Sequence, residues 1–281
     1  SSSTGKVSPR AGCCSCCRTA RIVSTALEKK TGGVRPIACG DVLRRLAGKW
    51  LCAKVRKEAG VFFAARQQAG VCVARGAEGL VHTARRLCGA WANIPEAAML
   101  KVDWANAFNS VSREVLLAEV AAHFPTLWRY AAAAYGVPTV LLFGTEFTVD
   151  SSAGVQQGDP LGPLFFSLVL ARVWSTVLAD ATFPAADIPL SGWYLDDGVL
   201  GGTSPQALLT ALSLLEREGA IVGLSLNRSK CELRVVSCVD LVVPEGSVGV
   251  IGSLSDTELL GCAVGSPLAH HMHASTAAAK A

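Results

Sequence analysis

Two adjacent aspartates between short apolar runs are the feature that most restricts the fold of this chain. Within residues 193–200, Asp196 and Asp197 are followed directly by Gly198. Apolar runs interrupted by Asp-Gly are typical of two strands joined by a tight turn, so both carboxylates are expected at one hairpin tip. Like charges held this close raise each other's pKa unless a cation neutralises them, and Mg²⁺ commonly binds one or two carboxylates together with phosphates. An ordinary surface hairpin fits the same residues, so other segments must show whether these aspartates bind a metal ion.

The charge of the chain is divided unevenly between its two halves. The net charge is +4, but residues 1–101 hold 18 Lys and Arg against 5 Asp and Glu, whereas residues 102–281 hold 8 against 17. A nucleic-acid-binding surface beside a metal-binding surface requires such a division. A solvated basic face without a partner is the alternative.

Composition also bears on the compartment and on membranes. The 11 cysteines are an odd number, which favours a reducing, intracellular compartment over a disulfide framework. Overlapping C-x-x-C pairs occur in residues 13–17, but the next cysteine is Cys39, so an unpaired, disordered lead-in is predicted rather than a zinc site. The most apolar stretch, residues 161–179, contains Arg172 and predicts a buried core helix, not a membrane span. Because the first methionine is Met99, we expect a piece of a larger polyprotein.

Four other segments carry candidate functional side chains. Residues 99–103 predict a strand that ends in a carboxylate, Asp103, and a Gly/Pro-rich loop at 154–163 containing Gln157 precedes the apolar helix. Residues 21–37 predict a hairpin with Lys30 and Arg35 near its tip, where they suit phosphate oxygens. A Gly…Asn…Lys segment, residues 223–230, leads into a further strand.

The ordered combination of these segments resembles a reverse transcriptase of the type encoded by non-LTR retrotransposons. The resemblance rests on the runs at 102–109, 157–163 and 194–197, with supporting matches at 32–37, 223–230 and 259–265. It covers roughly residues 21–265, and the combination is specific although each piece alone is not. It implies RNA-directed DNA synthesis, with an RNA template, a DNA primer, dNTPs and further domains of the parent element as partners, no membrane, and a nuclear location inside the cell.

The resemblance also assigns roles to single residues. Asp103, Asp196 and Asp197 are expected to bind two Mg²⁺ ions, with Mn²⁺ as the alternative, because two-metal catalysis requires carboxylates from separate strands. By resemblance, Asp197 is more structural than ligating, and Lys30, Arg35 and Gln157 contact the incoming nucleotide. Phe108 is expected beneath the sugar, where it excludes a 2′-hydroxyl, with core packing as the alternative role. Lys230 matches the lysine proposed to protonate pyrophosphate, and a solvated surface lysine fits it equally well.

The predicted fold class is α+β, a right-hand polymerase palm whose antiparallel sheet is backed by helices, with fingers and without a thumb. The predicted divisions are a disordered lead-in (1–20), fingers (21–100), a palm (101–265) with a fingers insertion (126–153), and a disordered tail (266–281). Two other functions remain open. One is an RNA-dependent RNA polymerase, which places an Asp where this chain has Phe108; the other is an inactive relic that only binds nucleic acid.

Overall fold

A computed structural model describes residues 22–28, 34–143, 147–237 and 243–266, and these form two main sheets with seven helices. In chain order the helices and strands are β1 (Ile22–Glu28), β2 (Val34–Cys39), α1 (Val42–Ala64), α2 (Gly76–Trp91), β3 (Ala98–Val102), α3 (Ala107–Ser110), α4 (Arg113–His123), α5 (Trp128–Tyr135), β4 (Thr139–Phe143), β5 (Phe147–Ser151), α6 (Gly162–Ala179), β6 (Leu190–Tyr194), β7 (Asp197–Gly202), α7 (Pro205–Ile221), β8 (Glu232–Val235), β9 (Val250–Ser253), β10 (Glu258–Leu259) and β11 (Cys262–Ala263). Short 3₁₀ turns lie at Pro125–Leu127, Ala185–Asp187 and Leu254–Asp256.

The larger sheet has five strands in the order β6-β7-β3-β8-β9. Its pairs are antiparallel except for β8 and β9, which run parallel. This sheet, backed by helices, confirms the predicted α+β palm, with a parallel edge that the sequence pattern did not indicate. The smaller sheet has four strands in the order β2-β1-β4-β5 and joins residues 22–39 to residues 139–151.

Alternation along the central strand β3 determines which layer covers each face of the larger sheet. Leu100 packs into the main core with α6 and α7, whereas Met99 packs into a second cluster with α2. Side chains two residues apart lie on the same face of a strand. Lys101 and Asp103 therefore share the α2 face with Met99, farther along β3.

The helix α6 is the centre of the main core. It is long and apolar enough to span a membrane by length and composition, but 67% of it is buried inside the protein. Twelve of its residues are buried, and they lie on all faces of the helix, where they pack against α4, α5 and α7 among others. The prediction of a core helix for this segment is therefore confirmed.

Helix caps follow the local sequence. Asp41 accepts a hydrogen bond from the backbone N–H of Arg44 (2.8 Å) at the start of α1, and Ser112 and Ser204 cap α4 and α7 in the same way. Before α5 the chain forms a 3₁₀ turn at Pro125–Leu127 and becomes α-helical only at Trp128. The cysteine group at 13–17, Lys30 and most of the predicted tail lie outside the described residues.

Candidate active site

Strand register brings the candidate carboxylates together at the open end of the larger sheet. Val102, the last residue of β3, pairs with Gly198 of β7. The same antiparallel register continued by one residue sets Asp103 opposite Asp197, with both side chains on one face. Asp196 lies in the turn between β6 and β7. The neighbouring strands β3 and β7 and the turn that joins β6 to β7 therefore bring the three carboxylates close together.

The turn itself lies one residue earlier than the Asp-Gly pattern predicted. Tyr194 pairs with Asp197, so the two turn residues are Leu195 and Asp196, and Leu195 has a φ of 58°. The expectation that both carboxylates leave the sheet is wrong, because Asp197 is the first residue of β7. Gly198 serves packing instead: an added Cβ would lie 2.4 Å from the indole ring of Trp193, its partner across the strands.

Burial and the neighbouring carboxylates both raise the pKa of Asp197. Burial of the carboxyl group is the largest cause, followed by the negative charges of Asp196 and Asp103, and together they raise this pKa to about 6. The ammonium group of Lys101 lowers it in part. Asp197 as a whole residue is exposed, so solvent weakens this repulsion. A cation among the three carboxylates would remove it.

The donor set fits Mg²⁺ by its chemistry. All three side chains offer carboxylate oxygens, which are the hard ligands that Mg²⁺ prefers. Among the described residues, no three acidic, His or Cys side chains already surround a metal position. Mg²⁺ commonly binds only one or two carboxylates and completes its shell with water and substrate phosphates. The residues present therefore fit the ion as part of a substrate-completed site.

A cleft of about 280 Å³ opens beside Asp196. Its lining includes Phe108, the loop residues 156–159 and Pro163. The ring of Phe108 stacks on that of Phe166 in α6, with centroids 4.5 Å apart and planes at 21°. Phe108 therefore packs against the core with one side of its ring and lines the cleft with the other. The two roles considered for it from the sequence are compatible.

The loop after β5 connects this cleft to the smaller sheet. The backbone N–H of Ala38 in β2 donates to the carbonyl oxygen of Gln157 at 2.6 Å. Gln157, a predicted nucleotide contact, lines the cleft, and Arg35 lies three residues before Ala38 in the same strand. Lys30 lies outside the described residues. The structure thus places β2 next to the cleft, while the roles of Lys30 and Arg35 stay predictions.

The Gly…Asn…Lys segment lies against the strand that ends in Asp103. The N–H of Asn227 donates to the carbonyl oxygen of Asp103 (2.8 Å), and the N–H of Ala105 donates to that of Ser225 (2.8 Å). Lys230 is exposed three residues beyond Asn227. The segment is therefore beside the carboxylates, and proton transfer by Lys230 stays a prediction.

Asp159 is a buried hub that the sequence did not identify as functional. Its carboxylate accepts hydrogen bonds from Tyr130 (2.9 Å), Tyr135 (2.7 Å) and the backbone N–H of Leu161 (2.9 Å), and forms a salt bridge with Arg44 (3.2 Å). Its side chain is only 1% exposed. These contacts fix the cleft loop to α1 and α5.

The charges around Asp159 favour this arrangement. Burial and then the charge of Asp159 raise the pKa of Tyr130 and of Tyr135, so both hydroxyl groups stay protonated donors. Burial opposes the charge of Arg44, but Asp159 and the two tyrosines outweigh it and raise the pKa of Arg44. An acidic residue in a Gly/Pro loop was the one available sequence signal, and its partners lie up to 115 residues away along the chain.

We expect Asp159→Asn to lower the free energy of unfolding by about 3 kcal/mol, because it leaves the buried guanidinium of Arg44 without a counter-charge. Urea denaturation measures this change. The matched control is Asp180→Asn, which breaks an exposed salt bridge with Arg217 and should change stability little. Equal stability of the two variants would contradict the assignment of Asp159 as a structural hub.

Comparison with known proteins gives the family. A protein-family model described as reverse transcriptase (RNA-dependent DNA polymerase) matches residues 27–263. The retrotransposable element SLACS 132 kDa protein of Trypanosoma brucei gambiense is 29% identical over 216 residues, which are 74% of this chain and 17% of that protein. The chain thus spans about a sixth of the length of this relative.

Solved structures show the same fold. Apo telomerase from Candida tropicalis superimposes with a TM-score of 0.58 and 13% identity, covering 94% of this chain and 50% of the other. Telomerase from Candida albicans, in complex with a TWJ fragment of telomeric RNA, has a TM-score of 0.57 and 13% identity, covering 83% of this chain and 44% of the other. The Sicinivirus 3Dpol RNA-dependent RNA polymerase has a TM-score of 0.51 and 14% identity, covering 88% of this chain and 51% of the other.

The telomerase and viral polymerase similarities show the fold alone, since their sequence identities are low. The family model is decisive because it covers most of the chain and includes all three carboxylates, the cleft loop and the segment beside Asp103. The retrotransposon relative agrees with the type that the sequence indicated. The chain therefore belongs to the reverse transcriptase (RNA-dependent DNA polymerase) family.

Proposed function

We propose that this chain adds deoxynucleotides to a DNA primer under the direction of an RNA template, as the polymerase part of a retrotransposon-like element. The observation that carries the proposal is the meeting of Asp103, Asp196 and Asp197 at one end of the larger sheet, with Asp196 in the lining of a cleft that Phe108 and Gln157 also line. Carboxylates that can hold metal ions and an adjacent cleft for the substrate are the minimum that nucleotidyl transfer requires.

The proposed chemistry is in-line phosphoryl transfer, in which catalysis is mostly positioning and neutralisation of charge. Asp103 and Asp196, with Asp197 beside them, would hold Mg²⁺, which when bound would supply positive charge to the triphosphate and to the 3′-oxygen as it loses its proton. Phe108 and Gln157 would position the nucleotide in the cleft. Lys230, which is exposed three residues beyond Asn227, would donate a proton to the leaving pyrophosphate.

Template binding is supported by the charge of α1. Besides Arg44, which binds Asp159, this helix carries five exposed basic residues and one acidic residue, Glu58, and it ends near the segment that contacts β6. Trp50 on the same helix is 63% exposed, with the ammonium group of Lys54 over its ring. Exposed basic and aromatic side chains suit the phosphates and bases of a single strand.

An RNA-dependent RNA polymerase is the second candidate, favoured by the fold similarity to the Sicinivirus enzyme. The position of Phe108 at the cleft argues against it, since an aromatic ring stands where that class of enzyme has an aspartate and cannot accept a hydrogen bond from a 2′-hydroxyl as a carboxylate does. The two candidates differ in the sugar that they accept.

Primer extension on an RNA template with Mg²⁺ tests the proposal. We expect extension with dNTPs and extension with rNTPs that is weaker by roughly 100-fold, the discrimination typical of one misfitting group. Preferential use of rNTPs would support the second candidate. No addition of either nucleotide, with Mg²⁺ or Mn²⁺, would indicate a binding module without polymerase activity.

A further inference from the structure

The turn that carries Asp196 contains a residue in an unfavourable backbone conformation. Leu195 has a φ of 58°, in the left-handed region that side chains other than glycine seldom adopt. Such a conformation persists only where the surroundings fix it. Because Leu195 immediately precedes Asp196, its backbone conformation sets the direction in which the carboxylate of Asp196 leaves the turn.

The group that fixes Leu195 is the side-chain amide of Gln68. Its Nε2 donates to the carbonyl oxygen of Leu195 at 3.1 Å, and its Oε1 accepts from the N–H of Leu195 at 2.9 Å. The same Oε1 accepts from the N–H of Gly70 at 3.0 Å. Gln68 is only 2% exposed, so water does not compete for these bonds. Both backbone polar groups of the strained residue are thus satisfied by one buried side chain.

The segment that carries Gln68 is itself attached to β6. The N–H of Trp193 donates to the carbonyl oxygen of Gln67 (2.8 Å), and the N–H of Ala69 donates to that of Trp193 (2.7 Å). Gly70 permits close approach to the turn, since a Cβ there would lie 2.5 Å from the backbone nitrogen of Leu195. The amide of Gln68 is therefore held at a fixed place relative to the turn.

We propose that Gln68 is a positioning residue for nucleotide addition: it holds Leu195 in its left-handed conformation and so keeps the carboxylate of Asp196 directed into the cleft. Gln68 acts through Leu195, since Asp196 lines the cleft whereas the amide of Gln68 bonds the backbone behind it. The activity part of this inference rests on the proposed function, whereas the conformational part does not.

The neighbouring Gln67 offers a matched control. Its Oε1 accepts hydrogen bonds from the indole N–H of Trp174 (2.8 Å) and from the hydroxyl of Ser191 (2.7 Å). It is the same residue type in the same segment and it also bonds to β6, but not to the turn. If Gln68 merely anchored the segment, the loss of either glutamine side chain would have the same consequence.

Amide hydrogen exchange, resolved to single residues, tests the conformational part in the full chain. Gln68→Met keeps the volume of the side chain and removes its hydrogen bonds, and Gln67→Met does the same for the control. We expect the N–H of Leu195 to exchange on the order of tenfold faster in Gln68→Met, the effect of one lost hydrogen bond, and at the wild-type rate in Gln67→Met. Equal exchange of Leu195 in the two variants would overturn the proposal.

Steady-state primer extension tests the part that concerns the reaction. A small displacement of a catalytic group costs up to about 100-fold in rate, so kcat should fall by roughly 10- to 100-fold in Gln68→Met with the KM for dNTP nearly unchanged. Gln67→Met should keep kcat within about threefold of the wild type, because the hydrogen bonds of Gln67 to Trp174 and Ser191 do not reach the turn. Fast exchange at Leu195 with a wild-type kcat would overturn the positioning role.

A third variant covers the case in which Gln68→Met does not fold. Gln68→Glu keeps an acceptor for the N–H of Leu195 and loses the donor to its carbonyl oxygen, so kcat should lie between those of wild type and a variant without either bond. A wild-type kcat in Gln68→Glu would overturn the proposal. An inactive wild-type chain would instead overturn the proposed function, and the exchange of Leu195 would still decide whether Gln68 holds the turn.

Discussion

Asp103→Asn or Asp196→Asn is expected to reduce primer extension by at least roughly 1,000-fold while leaving RNA binding nearly unchanged. Asparagine has almost the shape of aspartate but carries no charge, so it cannot replace a carboxylate that binds Mg²⁺ together with the substrate triphosphate. We expect RNA binding to depend instead on the basic residues of the first hundred positions, which these substitutions leave intact. Extension rates and RNA affinity at one salt concentration give both results.

The control for this prediction is Asp187→Asn, an exposed aspartate in a 3₁₀ turn away from the cleft lining. It removes the same charge from the acidic half of the chain and should keep wild-type extension. The two-metal assignment would be refuted by near-wild-type extension in either active-site variant. A parallel loss of RNA binding would show instead that the substitution had disturbed the fold.

The strand pattern accounts for how much of the site was predictable from the sequence. A strand that ends in Asp103 and an apolar hairpin around Asp196 and Asp197 are local patterns, and the antiparallel register of β3 and β7 is sufficient to bring them together. Helix starts were equally local, since the side chains of Asp41 and Ser112 cap their own helices. Patterns of this kind depend on residues that are close in sequence, so they can be predicted without knowing the tertiary structure.

The position of the turn was mispredicted for a physical reason. Asp-Gly favours a tight turn because glycine and aspartate tolerate positive φ. Here Leu195 adopts the positive φ instead, at a cost that the hydrogen bonds of Gln68 offset. Gly198 is required by the indole of Trp193. Contacts between residues 127 positions apart in sequence thus overrode the local preference.

The supporting residues of the cleft were missed for the same reason. Asp159 binds Arg44, Tyr130 and Tyr135, and Arg113 donates to the backbone of Ser151 and Gly154, which lead into the cleft loop. None of these pairs has a spacing that a single sequence reveals. The reactive groups of this site are recognisable by type and position, whereas the groups that hold them become visible only in three dimensions.

Phe108→Val is expected to raise the use of rNTPs relative to dNTPs by on the order of 100-fold. The ring lines the cleft near Asp196, so a smaller side chain would leave room for a 2′-hydroxyl on the sugar of the nucleotide. The same substitution removes the stacking of Phe108 on Phe166, so we also expect a loss of about 1–2 kcal/mol in the free energy of unfolding. The ratio of kcat/KM values for one rNTP and its dNTP measures the selectivity, and urea denaturation measures the stability.

The variant Phe166→Leu separates these two consequences. Phe166 is fully buried beneath Phe108 and does not line the cleft, so this change weakens the same aromatic pair from the core side. It should lower stability by an amount similar to that of Phe108→Val and leave the preference for dNTPs unchanged. If Phe108 is only a core residue, both variants should lose activity with both sugars in step with their stability. A stably folded Phe108→Val protein that keeps the wild-type sugar preference would therefore remove Phe108 from sugar selection and leave the walls of the cleft at 156–159 as the place to look for it.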